Sequence, residues 1–159
     1  MNPCPCGWAG DRSGRCRCSG EAIQRYRGRV SGPLLDRIDL HVQVPRLEPA
    51  ELRSDAPQGE GSAAVRARVV SARTVQLVRS GKPNAQLLPA ELDVHCRLAA
   101  GDQQLLEGAV EQLQLSARSM HRILRVARTL ADLADSDTIA TEHLAEAIGY
   151  RQVDRGGAG

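Results

Sequence analysis

Four cysteines in the first 18 residues form two matched pairs, Cys4-Pro-Cys6 and Cys16-Arg-Cys18, with nine residues between them. Four thiolates in so short a span suit a tetrahedral Zn²⁺, whose sulfur ligands stand about 2.3 Å from the ion. The CxC spacing is less specific than CxxC, but two matched pairs inside 15 residues, with Gly7, Gly10 and Gly14 between them, are hard to produce by chance. Residues 1–20 carry almost no apolar side chains, so a bound metal would supply the folding energy of this segment. A site closed by four cysteines would be structural and not catalytic. Two disulfides or four idle thiols are the competing readings. Cys96 stands between His95 and Arg97 on an expected helix and reads as a buried core residue. Neighbours on a helix point about 100° apart, which argues against a catalytic pairing of Cys96 with His95.

The second chemistry is anion binding by arginine. The chain holds 20 arginines and one lysine, Lys82. A guanidinium offers a planar fork to phosphate, although such a bias also follows from a GC-rich genome. Two arginines stand out by context. Arg37 lies between a Ser31-Gly32-Pro33 turn and an alternating stretch, Leu40-His41-Val42-Gln43-Val44. Arg118 follows Ser116, the expected cap of a helix over 117–134, and shares a narrow sector of that helix with Arg122 and Arg125. Free N–H groups at a helix N-terminus add to such charges and suit an anion. On periodicity alone, a solvated polar face is the simpler reading. Arg12, Arg15 and Arg17 interleave with the cysteines, where they would either touch a nucleic-acid backbone or balance the thiolates.

The elements that must position these residues are mainly helical. Aromatic residues are 2% of the chain and Phe is absent, so the core is built from Leu, Val, Ile and Ala. Apolar periodicity predicts helices over 63–80, closed by Gly81 and Pro83, over 89–99, over 102–114 and over 117–134. A last helix is expected from a Thr141 cap to Gly149. The alternation at 40–44 predicts a strand ended by Pro45. Residues 46–62 read as a linker from their Pro and Gly content, and 151–159 as a disordered tail. No run approaches the roughly 18 apolar residues of a membrane span, and the N-terminus does not read as a signal peptide. A cytoplasmic setting, where disulfides are rare, is the expectation. A net charge of +2 neither favours nor excludes nucleic acid.

Three stretches resemble one family. They are Asn2-Pro3-Cys4-Pro5-Cys6-Gly7, then Ser31-Gly32-Pro33-Leu34-Leu35-Asp36-Arg37-Ile38-Asp39-Leu40, and Leu115-Ser116-Ala117-Arg118 with the following Arg122-to-Leu133 run. Together with His143-to-Arg151 they are similar to the Mg-chelatase-like AAA+ ATPases of the YifB/ComM type, the competence-associated helicases. The resemblance implies the end of an α/β core over 1–45 and a helical C-terminal lid over 63–150. It implies that Asn2 is the sensor 1 residue that helps orient the attacking water. Arg37 would be the finger reaching a neighbouring subunit's ATP, and Arg118 the sensor 2 contact to the γ-phosphate. The intact protein would be a homo-hexameric, ATP- and Mg²⁺-dependent motor on DNA, with branch migration as its work.

The departure from the family lies in the phosphate cradle. No GxxxxGK[ST] occurs, and Lys82 in Ser80-Gly81-Lys82-Pro83 lacks both the loop and the following hydroxyl. The Walker B acidic pair would lie before Asn2. The expectation is therefore a C-terminal fragment, inactive alone, that supplies arginines but no ATP-binding loop. Two other readings stay open: a motor subunit of a magnesium chelatase, and a stand-alone zinc-knuckle and helical interaction module. A truncated ATPase would expose an apolar surface and aggregate, whereas a stand-alone module would be monodisperse.

Overall fold

The computed structural model describes residues 1–45, 47 and 59–152, and among these the regular secondary structure is helical. The expected linker falls largely on 46 and 48–58, and the expected tail on 153–159, so both lie mainly outside the described residues. Two short helices come first, α1 (Gly20–Arg27) and α2 (Gly32–Leu35). Then follow α3 (Ser62–Ser80), a 3₁₀ turn (Asn84–Gln86), α4 (Pro89–His95), α5 (Ala100–Gln112), α6 (Ala117–Leu133) and α7 (Thr141–Gln152).

The apolar stripe of α6 is the centre of the core. Ile123, Leu124, Ala127 and Ala131 are buried, and α6 packs against α7, α3, α4 and the 3₁₀ turn. Leu106 of α5, Leu144 of α7 and Leu87 and Leu92 around α4 complete the cluster. Each fully buried aliphatic side chain contributes about 1.5–3 kcal/mol. Cys96 lies in this cluster, as expected. Burial outweighs the nearby Arg128, Arg79 and Arg125 charges and pushes its thiol up to about 11, so it is inert as a nucleophile.

Local chemistry sets the ends of the helices. Gly81 takes φ 70° and returns its N–H to the Leu77 carbonyl at 2.9 Å, a left-handed stop open to glycine at little cost. Ser116 caps α6, its hydroxyl oxygen accepting from the Ser119 N–H at 3.2 Å. Glu91 accepts from the Leu88 N–H at 2.6 Å and from Lys82 Nζ at 2.8 Å. The single lysine is thus committed to the α4 start.

Other boundaries differ from expectation. The fourth helix stops at His95, where Cys96 leaves helical geometry at φ −120°. Gly101 lies inside the first turn of α5 and does not end a helix. Thr141 is the first residue of α7 and not its cap, because its hydroxyl donates to Asp102 Oδ1 at 2.6 Å. The Ala140 N–H is taken up instead by His143 Nδ1 at 3.1 Å. No strand occurs among the described residues, 40–44 included. A strand exists through its ladder, and among the described residues no other strand is present to pair with this stretch. The His41 N–H donates to the Tyr150 carbonyl at 3.0 Å.

Candidate metal centre and arginine sites

The two CxC pairs converge. The Sγ of Cys4 lies 3.3 Å from that of Cys6 and 3.8 Å from that of Cys16, and the Cys6 and Cys16 sulfurs are 3.8 Å apart. All four sulfurs, Cys18 included, fall within 4.8 Å of one another. A tetrahedron with arms of about 2.3 Å has edges of about 3.8 Å, so the spacing suits one small cation. Gly7, at φ 82°, makes the turn that follows the first pair. The Ala9 N–H donates to Cys4 Sγ at 3.3 Å, the kind of support a ligating thiolate receives.

The electrostatics agree. Burial raises the Cys4 thiol, but hydrogen bonds from Cys6, Ala9 and Cys16 outweigh it and lower the group to about 6. At Cys18 a backbone hydrogen bond from Cys6 acts downward. The Cys6 thiol, burial and the Cys4 charge act upward more strongly, to about 11. One thiolate therefore opposes the next, a repulsion that a bound cation removes. All five cysteines are unpaired in this structure.

Arg37 is exposed, and the residues around it are pinned. Asp36 accepts the Ser116 hydroxyl at 3.0 Å and the Ser119 hydroxyl at 3.1 Å. Asp39 pairs with Arg122, and Arg151 Nη1 reaches the Leu35 carbonyl at 3.4 Å. The segment bearing Arg37 is therefore fastened to the N-terminal end of α6, the helix that carries Arg118.

The arginines of α6 divide sharply. Arg122 is held by Asp39, while Arg125 donates through Nε and Nη2 to the Leu87 carbonyl at 3.1 and 2.7 Å. Arg128 is buried against Asp132. The Arg118 side chain is exposed and makes no hydrogen bond or ion pair with the described residues, and the same holds for the Arg37 side chain, whose backbone N–H donates to the Leu34 carbonyl at 3.0 Å. The expected cluster of Arg118, Arg122 and Arg125 is therefore neither a solvated face nor a joint anion site, since two of its members are engaged internally. Asn2 is exposed beside the cysteine loop, its Nδ2 3.7 Å from where a Gly7 Cβ would stand. Among the described residues no hydrogen bond joins it to the Arg37 or Arg118 elements.

Periodicity gave no sign of Asp36, Ser119, Asp39 and Arg122 as a clasp. The one available signal was the placement of two acids on either side of Arg37. A buried hub was equally invisible to it. Asp132 takes a two-armed contact from Arg79 at 2.6 and 2.8 Å, plus Arg128 Nε at 3.0 Å and Asn84 Nδ2 at 2.8 Å.

Comparison with known proteins identifies the family. Residues 59–151 match the family described as magnesium chelatase, subunit ChlI C-terminal, and residues 1–52 match magnesium chelatase, subunit ChlI. The chain belongs to this magnesium chelatase ChlI family. It is 45% identical over 156 residues to the competence protein ComM of Haemophilus influenzae, covering 98% of this chain and 30% of that protein. It is 44% identical over 156 residues to the uncharacterized protein YifB of Escherichia coli, with the same coverage. An uncharacterized Mycobacterium tuberculosis protein is 37% identical over 155 residues, 95% of this chain and 30% of that protein. The chain thus spans 30% of the length of the curated relatives it matches. No described helix is long and apolar enough to cross a membrane.

Proposed function

We propose that this chain is the nucleotide-sensing and lid segment of a ComM/YifB-type AAA+ motor that uses ATP and Mg²⁺ to work on DNA as a homo-hexameric ring. The observation that carries the reading is the freedom of two guanidiniums, among the described residues, at the clasped end of α6. Arg122, Arg125 and Arg128 are each engaged within the chain, while Arg37 and Arg118 stay exposed and unpaired on elements clasped to one another. An arginine kept out of internal contacts is available for an external anion. In this reading Arg37 reaches the γ-phosphate held by a neighbouring subunit, and Arg118 reports the nucleotide state through α6. Asn2 would help to orient water. Cys4, Cys6, Cys16 and Cys18 would hold a structural Zn²⁺ that folds the loop and takes no part in the chemistry.

The phosphate cradle is absent from these 159 residues, so the chain alone is expected to be inactive. The 45% identity to a competence protein over nearly the whole chain supports the DNA-motor type over a metal-inserting chelatase motor. The test is a chimera in which residues 2–151 replace the matching segment of the E. coli relative YifB. The chimera should hydrolyse ATP, and Arg37→Ala and Arg118→Ala should each reduce turnover, the former by about 10³-fold. Full turnover in both variants would sink the reading.

A further inference from the structure

The surface around the cysteine loop and α1 differs in charge from the rest of the molecule. Arg12, Arg15, Arg17, Arg25, Arg27 and Arg29 are all exposed. Against them stand two acids in residues 1–30, Asp11 and Glu21, while the whole chain carries only +2. The remainder of the chain is therefore net acidic. Even a four-thiolate centre around a divalent cation, at −2, leaves this lobe positive. The two halves of the lobe are joined, because Arg27 Nε donates to the Pro3 carbonyl at 3.2 Å.

Aromatic residues are concentrated in the same place. The chain has one Trp and two Tyr, and both Trp8 and Tyr26 lie here, half-buried. Each ring is paired with a guanidinium: Arg15 stands 5.1 Å from the centroid of Trp8, and Arg29 stands 5.8 Å from that of Tyr26. Pro5, Ala22, Arg25, Tyr26 and Arg29 line a hollow between the loop and the helix. Guanidiniums beside aromatic faces, in a patch that is otherwise basic, combine phosphate contact with a stacking platform.

From this surface we propose that the cysteine-loop and α1 lobe binds single-stranded nucleic acid, with its arginines on the phosphates and Trp8 and Tyr26 stacked against unpaired bases. A duplex satisfies only the charge, because its bases are already stacked. An acidic protein also satisfies only the charge. Neither Arg37 nor Arg118 takes part in this binding, and its test contains no ATP, so it stands or fails separately from the nucleotide-sensing role.

Trp8 is the only tryptophan, so its emission reports directly on the surface. The metal-loaded chain is titrated with an oligo-dT strand, an abasic strand of equal length, a duplex and poly-glutamate. Oligo-dT should quench Trp8 and bind about 10-fold more tightly than the abasic strand. Trp8→Leu should remove most of that difference. Arg12→Gln or Arg25→Gln should keep it, while reducing the slope of log affinity against log salt by about 0.7 for each phosphate no longer neutralised. Metal content checks that Trp8→Leu retains the loop. Should it not, Tyr26→Leu on α1 serves, read by the anisotropy of a labelled strand, and should narrow the same difference. Equal affinity for oligo-dT and the abasic strand, tighter binding of the duplex, or poly-glutamate matching oligo-dT overturns the proposal.

Discussion

The Asp36 carboxylate accepts the hydroxyl of Ser119, a residue with no exposed surface, at 3.1 Å across 83 residues of sequence. It takes the Ser116 hydroxyl at 3.0 Å as well. Ser116 caps α6, so the chain's own carboxylate sits at the helix end whose dipole and free amides favour an anion. This clasp, and not a periodic pattern, fixes the segment bearing Arg37 relative to the helix bearing Arg118. Asp36→Ala should leave the buried Ser119 hydroxyl without its carboxylate partner and cost about 1–3 kcal/mol. Urea denaturation measures the loss, and amide exchange should accelerate over residues 37–41. Asp36→Asn keeps one acceptor and should lose less. Unchanged exchange in Asp36→Ala would show that the clasp does not hold the segment.

The Arg37 and Arg118 side chains make no hydrogen bond or ion pair with the described residues, so Arg37→Ala and Arg118→Ala should shift stability by no more than about 0.5 kcal/mol. Arg128 is the contrast on the same helix. Its side chain is buried, pairs with Asp132 and donates to the Asp137 carbonyl at 2.8 Å. Arg128→Ala breaks a buried pair and should cost about 3–5 kcal/mol. Chemical denaturation of the three variants side by side checks the ranking. Equal losses would mean that the free arginines carry structural weight.

Asp132 makes the fold sensitive to acid. Burial raises its pKa, but the Arg79 and Asn84 hydrogen bonds and the Arg128 and Arg79 charges act more strongly, and the net shift is downward from 3.8. A lowered folded-state value adds stability that is fully present above the unfolded pKa and disappears as pH falls through the folded one. Stability should therefore be insensitive to this group from pH 7 to about 5 and should fall below about pH 4. Asp132→Asn should lose that acid-dependent part and start from a lower plateau, since two arginines would keep no counter-charge. Urea midpoints between pH 7 and 2.5 test it. A wild-type midpoint that falls between pH 7 and 5 in parallel with Asp132→Asn would rule the group out as the cause of any acid sensitivity.

The helical half was largely legible because its signal is local. The apolar stripe of α6 predicts 117–134 and the helix is Ala117–Leu133, while 63–80 becomes Ser62–Ser80. The cysteine cluster was legible for the same reason, four thiols within 15 residues. Other features depended on distant partners. The 40–44 alternation needs a second strand, and none is present among the described residues. Helix α1 buries no side chain, so it left no apolar period to read and appeared only as an Arg-rich stretch. The Asp36 clasp and the Arg79 and Asn84 contacts of Asp132 join residues 48 to 83 apart in sequence, and contacts between distant segments leave no local period.

The four-sulfur loop should carry about one zinc per chain when the protein is purified under reducing, chelator-free conditions. Cys4→Ser or Cys16→Ser should remove most of it. The core of α3 to α7 contains none of these ligands, so chelation should leave its cooperative unfolding in place while amide protection in the loop is lost. Metal analysis and exchange mapping measure the two effects separately. A metal-free chain with a protected loop would show that the thiols and turns suffice.

Apolar side chains remain exposed on α3 and in the 40–44 stretch. Val42 and Val44 are 62% and 87% exposed, and Val78 on α3 is 83% exposed. Val69 and Val70 on α3 are also exposed, leaving Ala72 and Gln76 as the buried residues of that helix. Exposed valines at this density on one helix are the pattern of a surface that packs against further protein. The isolated chain should therefore self-associate. Its apparent mass in light scattering should rise with concentration above the 17.1 kDa of a monomer. Val70→Ser with Val78→Ser should lower that rise without loss of the α6 core, because both side chains are outside it. A monodisperse 17.1 kDa species at all concentrations would instead favour a free-standing interaction module.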